Sequence, residues 1–238
     1  MKRLLSLFLL VIPFTLFSQR DSVYIKTSIF DVMYSEKLKE PLWVKYLDWK
    51  MDLPHAPYLV MMAIGDFAVV TDRWRDVPVN YYVEKDYAKY AKQIFGNTPQ
   101  MMEFFSQKLG FDYAWQKYSQ VVVRDYVSGA MENTSATLHG EFIQRDSREL
   151  LDETNEDVIS HELFHQWFGD LVTTESWSNI PLNESFATYG EYLWNEHKYG
   201  VEEADYKQYE NYLKYMDEAK DKSVDLIRFY YDDREDMF

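Results

Sequence analysis

Over the first third of the chain the apolar residues fall into short runs: Val23-Tyr24-Ile25, Tyr58-Leu59-Val60-Met61-Met62, Phe67-Ala68-Val69-Val70 and Tyr81-Tyr82-Val83. Pro, Gly and Asp bound them, and their β-branched and aromatic content suits a pleated surface, so they predict strands. From about Lys85 the period lengthens. Tyr87 to Phe95 reads as a helix stopped by Gly96-Asn97. Thr98-Pro99 opens another, with Met101, Phe105 and Leu109 at four-residue intervals before Gly110. Val121-Val122-Val123 is a strand core, and Ser135 to Leu138 a second strand that could form a sheet edge with it. Asn155 is expected to cap a helix carrying Glu156 and Asp157 in its first turn and apolar Val158, Ile159, Leu163, Phe164, Trp167 and Phe168, ending at Gly169. A further helix spans about Asn183 to Tyr199. The acidic, tyrosine-rich stretch after Val201 reads as solvated helix faces.

Composition narrows the chemistry. The 238 residues are 47% hydrophobic, enough for a sizeable core. Lys+Arg 25 against Asp+Glu 40 leaves a net charge of −15, which argues against a binder that tracks nucleic-acid phosphates. There is no cysteine, so disulfides, thiolate metal sites and cysteine nucleophiles are excluded, and any metal must be held by His, Asp or Glu. The 18% aromatic share is expected to serve packing.

Met1-Lys2-Arg3 followed by the apolar run Leu4 to Phe17 and by Ser18-Gln19 has the layout of a secretory signal peptide. The run falls short of the roughly 20 residues of a spanning helix, so membrane association is expected only through an uncleaved signal segment. The expected destination is export, to a periplasmic, cell-surface or extracellular site.

The stretch with the strongest chemical content is His161-Glu162-Leu163-Phe164-His165. On a helix, positions i and i+4 share a face, so His161 and His165 can aim two imidazoles at one zinc ion. Glu162, one step on, can reach an attacking water without becoming a ligand. A hydrolytic zinc needs a third protein ligand, and Glu184 follows His165 after 18 intervening residues, near the start of the next helix. Glu191, seven residues further, lies on the same face as Glu184. It can orient a ligand histidine through the free ring N–H, or it is a plain surface carboxylate.

The stretch from His161 to Thr173, the 18-residue gap, Asn183 to Leu193 and the upstream Gly129-Ala130-Met131-Glu132-Asn133 together resemble the zinc aminopeptidases of the gluzincin type. The resemblance runs from about Pro54 to Phe238. It implies an α+β fold: a partial thermolysin-like metallopeptidase catalytic domain preceded by the remnant of a β-sandwich N-terminal domain. The corresponding organisation is 1–18 signal peptide, 19–84 remnant β domain, and 85–238 peptidase domain truncated at its C-terminal end. It implies one zinc per chain on His161, His165 and Glu184, Glu162 as general base, and Gly129, Ala130, Met131, Glu132 and Asn133 as the substrate-binding motif. A buried carboxylate such as Glu132 can pair with the free α-ammonium of a peptide, and the small Gly129-Ala130 edge can take an extended peptide by strand addition. Met131 would line the pocket for the first side chain. Ser185 departs from the Gly of many members. The expected function is removal of N-terminal residues from peptides with a free N-terminus. The alternatives are an inactive zinc- or peptide-binding fragment and a thermolysin-type endopeptidase. Asn133-Thr134-Ser135 and Asn183-Glu184-Ser185 match glycosylation acceptors by chance.

Overall fold

The structure, a computed structural model, describes residues 24–25, 49–221 and 225–232. The expected signal segment lies outside them, and among the described residues no helix is long and apolar enough to cross a membrane. The chain divides into two compact units, residues 1–54 and 55–238. Within the first, β1 (Tyr24–Ile25) pairs antiparallel with β2 (Trp49–Lys50). All further elements belong to the second.

That second unit is a mixed α/β body built on a five-stranded sheet, compatible with the expected α+β class. β3 (Ala68–Trp74) and β4 (Val77–Val83) form a hairpin, with Arg75 at its tip in the left-handed region at φ 47. β4 then pairs parallel with β5 (Tyr118–Val123), β5 parallel with β7 (Ala136–Gly140), and β7 antiparallel with the two-residue edge strand β6 (Ala130–Met131). The spatial order is β3-β4-β5-β7-β6. The sheet therefore runs straight across the expected boundary at Lys85: residues 77–83 hydrogen-bond to the strand that precedes Gly129 to Asn133, and Tyr81 and Val83 bury on the same face of the sheet as Val122.

Two helices prepare the core for the site. α1 (Ala91–Phe95) buries Ile94 and Phe95, and α2 (Thr98–Leu109) buries Met101, Met102 and Phe105 before Gly110 ends it at φ 65, where a side chain would be strained. α3 (Glu156–Phe164), α4 (Glu184–Tyr199) and α5 (Val201–Glu218) follow. α5 buries only Ala204, in keeping with solvated faces.

Four local expectations change. The helix expected over Tyr87 to Phe95 is confined to Ala91–Phe95, after a 3-10 turn over Lys85–Tyr87. Tyr58 to Met62 is not a strand: Pro57 opens a single 3-10 turn over Pro57–Leu59, Leu59 buries, and Val60 and Met62 stay exposed. Asn155 does not cap α3 with its side chain; it sits in the left-handed region at φ 51 and offers its carbonyl to the Ile159 N–H at 3.2 Å. α3 also stops at Phe164 rather than Gly169. Gly169, at φ 136, reverses the chain so that the Asp170 N–H returns to the His165 carbonyl at 3.0 Å. A Cβ on Gly169 would stand 2.9 Å from the His165 Nδ1, so the residue's smallness serves the histidine directly.

Candidate metal centre

α3 and α4 pack closely because Gly190 lets them. A Cβ there would lie 2.5–2.8 Å from three atoms of Phe164, a ring already held edge-on by Phe105 at 4.9 Å and stacked on Phe168 at 5.4 Å. Glu156, in the first turn of α3, fixes the other end of the pair. Its buried carboxylate accepts from Asn97 Nδ2 at 2.7 Å, Trp194 Nε1 at 3.0 Å and Lys198 Nζ at 2.5 Å, joining α3 to both α2 and α4. This packing sets Glu184 and Glu191 beside His161 and His165.

The four side chains then interlock. The His161 Nδ1–H donates to Glu191 Oε1 at 2.6 Å, and the His165 Nδ1–H donates to the Phe168 carbonyl at 3.0 Å. With both Nδ1 atoms acting as donors, each neutral ring turns an Nε2 lone pair inward. Those two Nε2 atoms are 3.0 Å apart, and Glu184 Oε2 lies 3.4 Å from one and 3.5 Å from the other. Three lone pairs converging on one point repel one another unless a cation sits between them. A tetrahedral metal with ligand bonds of about 2.0–2.2 Å has ligand–ligand edges of about 3.3–3.6 Å, so this donor set fits a zinc-sized ion.

Without a metal the same cluster holds a proton in its place, so His161 is then cationic rather than neutral. Burial pulls the His161 pKa down, but its hydrogen bonds to Glu184 and Glu191 outweigh that and hold it at about 10. Burial raises the Glu184 pKa, and the two imidazoles bring it down to about 2. The cluster draws positive charge to its centre.

Behind the triad lies a second acidic group. Glu132, Glu162 and His165 each offer a ligand atom, all within 4.8 Å of one another and all buried. Both sets draw on His165, whose one inward nitrogen can serve only one ion, so Glu132 and Glu162 are left facing the metal point rather than forming a second metal cage. Burial pushes the Glu162 pKa up to about 7 against the pull of the two histidines, and its Oε2 has no hydrogen-bond partner. Glu132 is 6% exposed, immediately after the edge strand β6, whose outer side carries no strand partner among the described residues. Gly129 is exposed and offers its carbonyl to the Gly140 N–H at 2.9 Å. Ala130 and Met131 are half-buried, and Asn133 is buried with its Nδ2 donating to the Leu59 carbonyl at 3.2 Å. Asn133 and Asn183 are both buried, which suits their reading as chance glycosylation matches. Ser185 is exposed, so its departure from Gly leaves the ligand helix undisturbed.

Thus every residue singled out in the sequence converges on one region: His161, His165, Glu184 and Glu191 in direct contact, with Glu162 and Glu132 beside them. Three neighbours were not foreseen. Gln166 bonds the loop after β6, Tyr58 receives a hydrogen bond from Asn183 Nδ2 at 3.2 Å, and Asp170 is 1% exposed with both carboxylate oxygens unpartnered. Only Gln166 had a signal, its adjacency to His165; the others reach the site through folding alone.

A family profile described as "Peptidase family M1 domain" matches residues 94–236. Among curated proteins the chain is 36% identical over 142 residues to aminopeptidase N of Streptomyces lividans, covering 56% of this chain and 17% of that protein. It is 31% identical over 163 residues to glutamyl aminopeptidase of Bos taurus, covering 66% and 17%. It is 35% identical over 139 residues to Tricorn protease-interacting factor F2 of Thermoplasma acidophilum, covering 57% and 17%. The matched stretch is thus about a sixth of the length of these relatives, 17% in each case. The profile covers more than half of the residues and includes both ligand helices and the edge strand, and on that match the chain belongs to peptidase family M1.

Proposed function

We propose that this chain carries the zinc centre and the amine-recognition loop of an exported aminopeptidase with a thermolysin-like catalytic core. His161, His165 and Glu184 would hold one zinc ion, which when bound supplies Lewis-acid polarisation of the scissile carbonyl and acidifies an attacking water. Glu191 holds the His161 ring in the tautomer that turns Nε2 inward, and the Phe168 carbonyl does the same for His165. Glu162 keeps a free carboxylate oxygen beside the ligands, where it can take a proton from the water and return it to the departing amine. Glu132 pairs with the substrate's α-ammonium, and the open side of β6 hydrogen-bonds to the peptide backbone.

The observation that carries the reading is the burial of Glu132 within 4.8 Å of Glu162 and His165. An endopeptidase has no use for a buried anion there, whereas an exopeptidase needs one to count residues from the free end. Residues 1–18 are read as the signal that directs export; of the expected β-domain remnant, residues 68–83 belong to the sheet of the catalytic unit. Substrates are peptides with an unblocked N-terminus; nucleic acid is not among the partners.

The test compares zinc content with hydrolysis of an unblocked aminoacyl anilide. One zinc per chain with turnover supports the reading. Stoichiometric zinc without turnover favours a binding remnant, and faster cleavage of N-terminally blocked peptides favours an endopeptidase. Glu162→Gln should keep the metal and lose turnover, since the amide preserves shape but cannot accept the proton.

A further inference from the structure

Gln166, the residue after the ligand His165, makes three buried hydrogen bonds that the chemistry above does not use. Its Oε1 accepts from the Ser135 N–H at 2.7 Å, its Nε2 donates to the Glu132 carbonyl at 3.0 Å, and its own carbonyl accepts from Trp115 Nε1 at 3.1 Å. Gln166 is 1% exposed, so water does not compete for these bonds. Glu132 and Ser135 bracket a tight turn, closed by the Ala136 N–H on the Asn133 carbonyl at 2.8 Å, with Ser135 in the left-handed region at φ 61. One amide therefore grips both ends of the turn that carries Glu132. The same amide belongs to the residue next to a ligand of the metal. The path from the metal point to the Glu132 backbone runs through a single buried side chain.

We propose that Gln166 is a positioning residue that sets the separation between the Glu132 carboxylate and the metal, and thereby the discrimination for a free N-terminus. The proposal rests on reading Glu132 as the amine anchor. Gln166 has the means to do this. Its donor and acceptor ends differ, so it can bind the turn in one orientation only, and it makes both bonds to backbone, which fixes the Glu132 Cβ whatever substrate is present. A misplacement of about 1 Å in a positioned group can cost about a hundredfold in turnover, and the same displacement would weaken the Glu132 contact to the substrate amine.

The experiment measures, by calorimetry on the zinc-loaded chain, the affinities of leucine hydroxamate and of N-acetyl-leucine hydroxamate. Both probes can reach the metal, and only the first presents an ammonium to Glu132. In the wild type the free-amine probe should bind more tightly. Gln166→Met, which keeps volume and removes both amide bonds, should lower that affinity ratio at least about tenfold while zinc stays at one per chain. Gln166→Glu keeps the acceptor for Ser135 and puts an acceptor against the Glu132 carbonyl; it should lose discrimination as well, and it carries the test if the methionine variant fails to fold. Gln120→Met removes an equally buried amide, bonded to Thr98 at 2.8 Å and His139 at 3.2 Å, and should lower the melting temperature with the ratio intact. A ratio in the Gln166 variants within twofold of a discriminating wild type overturns this proposal alone. A wild type that binds both probes equally overturns the amine-anchor reading and the proposal with it.

Discussion

Gly190→Ala tests whether the metal centre depends on the close approach of α3 and α4. The added Cβ would meet Phe164 Cγ at 2.5 Å, Cβ at 2.7 Å and Cδ2 at 2.8 Å, against ordinary carbon contacts of about 3.5–4.0 Å. Relief requires a separation of about 1 Å. Phe164 cannot supply it by rotation, because Phe105 and Phe168 hold its ring on two sides. An unstrained Gly→Ala change in a helix gains about 1 kcal/mol, whereas overpacking a core costs about 1–3 kcal/mol and falls at the upper end when backbone must move. The net expectation is a loss of about 2 kcal/mol, or about 4–8 °C in melting temperature for a chain of this size. Moving α4 also carries Glu184 and Glu191 away from His161 and His165, so metal affinity should fall about 10–100-fold. Thermal melts with and without zinc, and competition against a graded chelator, read both effects. A variant that melts within 2 °C of wild type and holds zinc equally well would refute the argument that this glycine sets the ligand geometry.

Further outcomes follow from individual side chains. Glu191→Gln should weaken zinc binding about 10–100-fold without abolishing it, since the amide still orients the His161 ring but no longer raises its basicity; chelator competition reads the change. Asp170→Asn should stabilise the chain, because burial and the charge of Glu132 hold the Asp170 pKa well above the ordinary carboxylate range. A raised folded pKa means that the native state binds the extra proton, so wild-type stability falls as pH rises above about 4 and the gain from Asn should be larger at pH 8 than at pH 5 in urea melts. An equal or smaller gain at pH 8 would refute it. His139 is fully buried and its pKa is pulled down to about 3 by that burial. The unfolded chain takes up this proton below about 6.5 and the folded chain does not, so stability present above 6.5 drains by up to about 1.4 kcal/mol per pH unit as pH falls towards 3; His139→Gln should flatten that acid limb.

The candidate site of this protein was legible in the sequence because it depends on local period. A His-Glu-x-x-His spacing puts two imidazoles on one helical face wherever that helix goes, and the seven-residue step from Glu184 to Glu191 keeps both carboxylates on one side of the next. The helix ends at Gly110 and Tyr199, the hairpin strands and the small-residue edge at Gly129-Ala130 were equally readable, since each is set by turn chemistry or by alternation over a few residues. What depended on distant contacts was not. The 3-10 turn at Pro57–Leu59 replaces a strand because Pro57 opens a turn there and because Leu59 buries while its neighbours do not. The sheet ignores the expected boundary at Lys85 because β4 finds β5 across a helical crossover. α3 ends early because Gly169 must pass beside His165, and Glu191 becomes an orienting partner rather than a surface charge only because Gly190 admits the Phe164 ring. Gln166, Asp170 and Tyr58 join the site through hydrogen bonds and fields spanning 31 residues or more, which no window along the chain contains. The sequence by itself determined which groups could bind a metal and a peptide amine; tertiary packing decided their separation and tautomers, because these depend on close contacts between elements far apart in the chain.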